Sequence, residues 1–265
     1  MKLIVHGHEA YAYTGGKPFD PALPCLVFVH GAVNDHCVWT LLARFFAHHG
    51  FSVLAVDLPG HMRSAGPALT SIEAMADWLL ALMDAAGVQS AALAGHSMGS
   101  LVALEAAARA PERATRLVML GSCVPMPVPQ ALLDLSLSDT GGAIDRVVMF
   151  SFSTLAAKPS YPGPGVWLRG SARALMRQVV AQGEPGLFHT DFSACNAYTA
   201  GLDAAGRVQC PAHLVLAQQD QMTPLRGSRQ VGQRLRATTH TVPGGHFLMQ
   251  EQPDAVLAAM RSALA

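Results

Sequence analysis

One serine of this sequence lies in a pattern that makes covalent catalysis possible. Residues 95–99 read Gly-His-Ser-Met-Gly, the Gly-x-Ser-x-Gly pattern in which a strand turns sharply into a helix and exposes the serine. The apolar run Ala91–Ala94 predicts the strand, and the alanine-rich stretch Ser97–Arg109 predicts the helix. Because the five-residue pattern alone arises by chance, this context carries the interpretation. Ser97 is therefore predicted to be a nucleophile.

A base and an acid follow in the order that such a serine requires. A serine hydroxyl needs a base, and a third group must orient that base. Asp220 follows the apolar run His213–Ala217, and His246 follows Thr238–Val242. The carboxyl ends of parallel strands share one edge of a sheet, so both side chains are expected to meet Ser97 there.

Other residues could in principle fill these roles. Asp203 is the second candidate for the acid, but it does not follow a predicted sheet strand. His96 is expected to point to another side of the turn, and His48 and His49 end a helix. Asp220 and His246 remain the preferred pair.

The oxyanion of an acyl-transfer intermediate needs two N–H donors. One is expected from the backbone of Met98, directly after the nucleophile. The other is expected from the backbone of Ala32, in the turn after the apolar run Cys25–His30. His30 is predicted to brace that turn, and Trp39 is predicted to pack in the core.

Apolar runs alternate with helical patterns along most of the chain. Runs that are apolar on both faces predict a mostly parallel sheet covered by helices, an α/β fold. Thr70 and Glu73 have capping-box spacing before a helix that Gly87 ends. Predicted strands are Cys25–His30, Phe51–Asp57, Ala91–Ala94, Arg116–Leu120, His213–Ala217 and Thr238–Val242, with an edge hairpin of Lys2–Val5 and Glu9–Tyr13. Other predicted helices are Val38–His49 and Pro253–Leu264.

One connection is far longer than the others. Residues 125–210 separate two predicted strands, whereas ordinary connections have about 2–6 residues. Helical patterns occur near Ala143–Leu155, Val166–Ala181 and Asp191–Tyr198, and the Pro159–Gly165 stretch should divide them. The segment is predicted to be a helical cap, inserted into a core formed by residues 1–124 and 211–265.

Composition excludes several classes of function. The 265 residues carry 18 basic and 18 acidic side chains, which gives no support to nucleic-acid binding. The five cysteines are irregularly spaced and no His/Cys/Asp cluster has metal-ligand spacing, so neither disulfides nor a metal is expected. No stretch is long enough to span a membrane, and the chain is expected to be cytoplasmic.

The assembled residues resemble the α/β-hydrolase superfamily, in the serine hydrolase branch with a helical cap. The landmarks are His30-Gly31, the Asp-Leu-Pro-Gly-His run of 57–61, the 95–99 motif, and the Asp220/His246 pair. The resemblance implies hydrolysis of an ester or related acyl bond by a Ser-His-Asp triad, without a cofactor. Two positions depart from the family pattern: Met62 and Ala217 stand where glycine is common.

The same triad serves several chemistries, which stay open at this point. Ser97 argues against the dehalogenases and epoxide hydrolases, which use an aspartate there. Carbon–carbon hydrolases, thioesterases, cofactor-free perhydrolases and a ligand receptor keep the triad. Apolar side chains of the cap, among them Trp167 and Phe192, favour a small, largely apolar substrate and are expected to set its choice. No feature predicts the oligomeric state.

Overall fold

The computed structural model describes residues 1–265 and contains one eight-stranded sheet. Its strands are β1 (Lys2–Val5), β2 (His8–Tyr13), β3 (Cys25–Val29), β4 (Ser52–Val56), β5 (Ala91–His96), β6 (Ala114–Leu120), β7 (Ala212–Ala217) and β8 (Thr238–Val242). Their spatial order is β1-β2-β4-β3-β5-β6-β7-β8. The six strands from β4 to β8 are parallel, and the β1–β2 hairpin is antiparallel at the edge. The predicted α/β fold with its hairpin is confirmed.

Helices cover both faces of the sheet. They are α1 (Thr40–Ala47), α2 (Ile72–Ala85), α3 (Met98–Arg109), α4 (Gln130–Ser138), α5 (Thr140–Ser151), α6 (Leu168–Gln182), α7 (Leu187–Ala197), α8 (Gly201–Arg207), α9 (Arg229–Leu235), α10 (Leu248–Glu251) and α11 (Pro253–Leu264). Alternate residues of the inner strands belong to separate apolar layers: Val27 packs with α2 and α3, and Phe28 packs with α1 and α11. Burial on both faces explains the unbroken apolar runs.

The start of α2 differs from the expectation by one residue. Ser71, not Thr70, caps the helix, and its hydroxyl accepts the N–H of Ala74 at 3.1 Å. Either hydroxyl could serve as the cap, and the extended backbone of Ser71 decides between them. The predicted Thr70/Glu73 capping box is therefore wrong, although the helix ends before Gly87 as expected.

The long connection between β6 and β7 contains five helices, α4 to α8. Three of them match the predicted helical patterns, and residues 152–167, which include Pro159–Gly165, contain no helix. The helices Gln130–Ser138 and Gly201–Arg207 were not predicted from the sequence. We call residues 125–210 the connecting segment. No helix of the chain combines the length and the apolar character that a membrane crossing requires.

Candidate active site

Ser97 stands at a strained turn between β5 and α3. Its φ of 52° and ψ of −120° lie where non-glycine residues are rare, and such strain concentrates at functional sites. A Cβ on Gly95 would collide with the backbone of Gly99, and a Cβ on Gly99 would collide with the carbonyl oxygen of Val29. The two glycines therefore let β5, α3 and β3 approach closely enough to form the turn.

Asp220 and His246 meet at the carboxyl ends of β7 and β8. The Nδ1 atom of His246 donates to Oδ2 of Asp220 at 2.9 Å, and both residues are buried. The backbone N–H groups of Met222 and Thr223 donate to Oδ1 of Asp220 at 2.9 and 2.8 Å. The Thr223 hydroxyl donates to Oδ2 at 2.7 Å. Each oxygen of the Asp220 carboxylate thus accepts two hydrogen bonds, which fix its orientation.

Electrostatics keeps the Asp220 carboxyl ionised. Burial alone would raise its pKa, but the charge of His246 and the hydrogen bonds from His246 and Thr223 outweigh that effect and lower the pKa. With Asp220 accepting from Nδ1, the Nε2 atom of His246 is left as a proton acceptor. The predicted alternative, Asp203, is exposed on α8 and makes no contact with His246.

The loop that carries His246 is held by two further contacts. Its carbonyl oxygen accepts the Nε2–H of His96 at 2.9 Å, so His96 braces the loop from behind the elbow. Burial lowers the pKa of His96 to about 3 and keeps this ring neutral. Oε1 of Glu251 accepts the N–H groups of Gly245 and Ser153, both at 3.1 Å, which ties the loop to the connecting segment.

The turn after β3 lies against the elbow. A Cβ on Gly31 would be 3.1 Å from Cβ of Ser97, so this glycine permits the close approach. The N–H of Ala32 has no acceptor within the protein, and its carbonyl oxygen accepts from Nδ2 of Asn34 at 2.8 Å. Met98 is the first residue of α3, where N–H groups have no acceptor inside the helix.

Asp191 holds that turn from the connecting segment, and sequence reasoning missed it. Asp191 lies on α7 and is completely buried. Its Oδ2 atom accepts the backbone N–H of Val33 at 2.8 Å and lies 3.0 Å from Nε2 of His61. Val33 has a φ of 54°, which is unusual for a β-branched residue, so this hydrogen bond fixes a strained turn beside Ala32.

His61 is the cationic partner of Asp191. Its Nε2 atom faces Oδ2 of Asp191, and its Nδ1 atom is 3.1 Å from the carbonyl oxygen of Pro59. Because both neighbours only accept, both ring nitrogens must carry protons. Burial would lower the pKa of His61, but the charge of Asp191 raises it above its ordinary value. The connecting segment is thus joined to the sheet by a buried ion pair.

Two cavities open at the elbow. A cavity of about 520 Å³ is lined by Ser97, Ala32 and mostly apolar side chains of the connecting segment. A smaller one, of about 30 Å³, is lined by Ser97, His246 and Asn34. The larger volume falls in the range of small-molecule sites. Ser97 borders both cavities, and His246 lines only the smaller one.

Only some of the apolar side chains of the connecting segment line these cavities. Met126, Phe150 and Phe192 border the larger cavity. Trp167 does not: it is 45% exposed and packs over Gly170 on the outside of α6. Trp167 therefore does not belong to the apolar surface that faces Ser97, and the expected role of this side chain in substrate choice has no support from the cavity.

Other residues singled out from the sequence have structural contacts. His30 accepts the N–H of Leu58 at Nε2, 3.1 Å away, and braces the turn as predicted. Trp39 is completely buried and stacks on Phe28 with ring centroids 4.7 Å apart. Met62, which stands where the family pattern has glycine, adopts a φ of 40°, a left-handed conformation that glycine takes without strain.

One group of side chains lies close enough together to be considered as a metal site. Donor atoms of Asp35, His36 and Cys37 lie within 4.8 Å of one another. Two of these donors are committed: Nδ1 of His36 donates to Asp57 at 2.7 Å, and Asp35 accepts the N–H of Cys37. Burial opposes a charge on His36, but the hydrogen bond to Asp57 raises its pKa to about 10 and favours the protonated ring, whose nitrogens are donors and not metal ligands.

Known hydrolases resemble this chain in sequence and in structure. Residues 26–259 match the Alpha/beta hydrolase family. A putative esterase/lipase of Haemophilus influenzae is 24% identical over 90% of this chain and 82% of its own length. The pimeloyl-[acyl-carrier protein] methyl ester esterase of Chromobacterium violaceum is 29% identical over 86% of this chain and 80% of its own length. The crystal structure of an enol-lactonase from Burkholderia xenovorans LB400 superposes with a TM-score of 0.85 at 19% identity, covering 100% of this chain and 99% of that one.

Proposed function

The chain belongs to the alpha/beta hydrolase family and is a hydrolase of ester-type bonds; from this premise we propose that it works through a covalent acyl-enzyme on Ser97. His246 is the base, Asp220 the acid, and the backbone N–H groups of Ala32 and Met98 bind the oxyanion. One observation carries the proposal: the Asp220–His246 hydrogen bond of 2.9 Å orients the ring beside the cavity that Ser97 also lines. The relatives named esterase support ester cleavage.

The acylation half-reaction uses the donors and acceptors already in place. Oγ of Ser97 attacks the ester carbonyl carbon while Nε2 of His246 takes the hydroxyl proton. Negative charge develops on the carbonyl oxygen, and the N–H groups of Ala32 and Met98, at the start of α3, stabilise it. His246 then gives its proton to the leaving alcohol, and the acyl group stays on Ser97.

Deacylation repeats the sequence with water as nucleophile. His246 removes a proton from the water, which attacks the acyl carbon, and returns that proton to Oγ of Ser97. The smaller cavity is large enough for one water molecule. Oδ1 of Asn34 is buried there without a donor from the protein, and it can accept a hydrogen bond from that water.

The connecting segment, residues 125–210, acts as a cap on a core of residues 1–124 and 211–265. Asp191 and Ser153 of the cap hold the two active-site loops through Val33 and Glu251. Ten of the 17 residues around the larger cavity are hydrophobic, which suits a small, largely apolar substrate. Excluding water from this cavity strengthens the oxyanion hydrogen bonds.

Pre-steady-state hydrolysis of p-nitrophenyl butyrate tests the proposal. We expect a rapid release of about one equivalent of p-nitrophenol per protein, and a butyryl adduct on Ser97 by mass spectrometry of quenched samples. His246→Ala should abolish turnover, and His240→Ala, on β8 and outside both cavities, should retain it. Absence of hydrolysis, or an adduct on another residue, would refute the proposed function.

A further inference from the structure

Arg146 is the only charged side chain around the larger cavity. It lies on α5, and the same cavity is lined by Val147 and by Phe150, which is one helical turn further on. No aspartate or glutamate lines the cavity. A binding site that is otherwise apolar thus presents a single positive charge and no negative one.

The guanidinium of Arg146 has no partner within the protein. The neighbouring carboxylate, Asp145, is already paired with Arg173 at 2.7 Å and lies 3.5 Å from Arg177. Arg146 itself forms no ion pair and no side-chain hydrogen bond, so all five of its N–H donors are free for a ligand. Asp145 is thus engaged by other arginines, and the charge of Arg146 is left without a carboxylate partner.

The exposure of Arg146 places its charge at the mouth of the cavity. An arginine with an exposed head lays its aliphatic stem along apolar surface and keeps the guanidinium in water. Arg146 also borders an adjacent cavity of about 500 Å³ together with Arg169, Arg173 and Asp145, so three positive charges and one negative charge surround it and the net potential is positive. An anionic ligand is therefore attracted towards the opening that leads to Ser97.

We propose that Arg146 binds a carboxylate at the end of the substrate distant from the scissile ester, so that the natural substrates are esters with an apolar chain and a terminal acid. This inference rests on the proposed function and names its substrate class. A carboxylate fits because one guanidinium offers two parallel N–H donors for two oxygens and one charge for one charge. The apolar wall between Arg146 and Ser97 then takes the hydrocarbon chain.

Paired esters of equal size measure the effect of the terminal charge. The mono-p-nitrophenyl ester of adipic acid and the p-nitrophenyl ester of adipamic acid differ only in a terminal carboxylate or carboxamide. Wild-type protein should favour the acid in kcat/KM by about tenfold or more, as expected for a partly exposed charge-assisted pair. Added salt should reduce this preference, because the pair is partly exposed.

Variants separate the charge of Arg146 from its stem. Arg146→Met keeps an apolar chain and should lower kcat/KM for the acid by about 10- to 100-fold, with the amide changed less than about twofold. Arg146→Lys should keep part of the preference and its dependence on salt. Arg177→Met, which removes an exposed arginine of α6 that lines neither cavity, should leave the preference unchanged.

The outcomes distinguish this inference from the proposed function. If the wild type hydrolyses both esters and Arg146→Met leaves the ratio unchanged, the role of Arg146 is refuted while the esterase function stands. If Arg146→Met lowers hydrolysis of both esters equally, the side chain contributes packing only, and the inference is again refuted. If the wild type hydrolyses p-nitrophenyl butyrate but neither adipic ester, the inference is refuted and the esterase function stands. If it hydrolyses none of the three esters, the proposed function fails and the inference falls with it.

Discussion

Replacing Asp220 by asparagine should change the protonation of His246 and little else. The Oδ1 atom of Asp220 accepts two backbone N–H groups, and an asparagine carbonyl oxygen can keep both bonds. The amide NH₂ would then take the place of Oδ2, which now faces the Thr223 hydroxyl at 2.7 Å and Nδ1 of His246 at 2.9 Å. An NH₂ group donates, so the ring would be held with its proton on Nε2, where it cannot accept the proton of Ser97.

The size of the loss follows from what the carboxylate supplies. Asparagine removes both the correct tautomer and the negative charge that stabilises the imidazolium in the transition state. The same change in the serine-protease triad costs about 10⁴-fold in kcat, equivalent to about 5 kcal/mol, and we expect a similar loss here. The fold should persist, because the backbone bonds to Oδ1 remain. KM should change little.

Steady-state kinetics on p-nitrophenyl butyrate, with circular dichroism on the same samples, measures this expectation. Asp203→Asn is the matched control: it makes the same chemical change on exposed α8 and should leave kcat within about twofold, as surface substitutions do. If Asp220→Asn retained kcat within about tenfold of wild type, the reasoning on the tautomer would be refuted. Loss of activity in Asp203→Asn instead would place the acid elsewhere.

Three further predictions test the surroundings of the site. Asp191→Asn should lower kcat by about 10- to 100-fold with little change in KM, because a weaker hydrogen bond to the Val33 N–H lets the turn that contains Ala32 shift. An unchanged kcat would show that Asp191 has only a structural role. Phe192→Ala should change the ranking of p-nitrophenyl esters by chain length, and Trp167→Ala should not, because only Phe192 lines the cavity; the reverse result would contradict the cavity assignment. For His36, the folded pKa of about 10 lies above its ordinary 6.5, so the stabilisation from its pair with Asp57 is complete below pH 6.5 and is lost as pH rises towards 10. Urea unfolding should show the stability gap between wild type and His36→Gln shrinking over that interval, and a constant gap would refute it.

The sequence predicted those features that local pattern determines. Sequence pattern located all eight strands, the inner ones as apolar runs, and their order along the chain placed Asp220 and His246 at the same sheet edge as Ser97. This works because strand burial on two faces leaves an unbroken apolar run, and because parallel strands end at one edge. Strand ends moved by one or two residues, as at β5, which continues to His96.

Features that depend on distant contacts could not be predicted. Asp191 is 158 residues from Val33, and nothing in the α7 sequence indicates which turn its carboxylate anchors. The inward face of α6 depends on how the connecting segment packs, so the sequence could not tell that Trp167 lies outside the larger cavity. The free charge of Arg146 follows from the pairing of Asp145 with Arg173, a contact between two helices. Only a slight signal existed for Asp191: it is the one charged residue of an otherwise uncharged helix.

Labelling by a fluorophosphonate probe tests most directly the central claim that Ser97 is the activated nucleophile. The probe phosphonylates a serine only where a base and oxyanion donors act on it together. We predict one label per protein, located on Ser97 by peptide mass spectrometry, and complete loss of label in Ser97→Ala with unchanged circular dichroism. Labelling that persisted in Ser97→Ala, or that mapped to another residue in the wild type, would contradict the account.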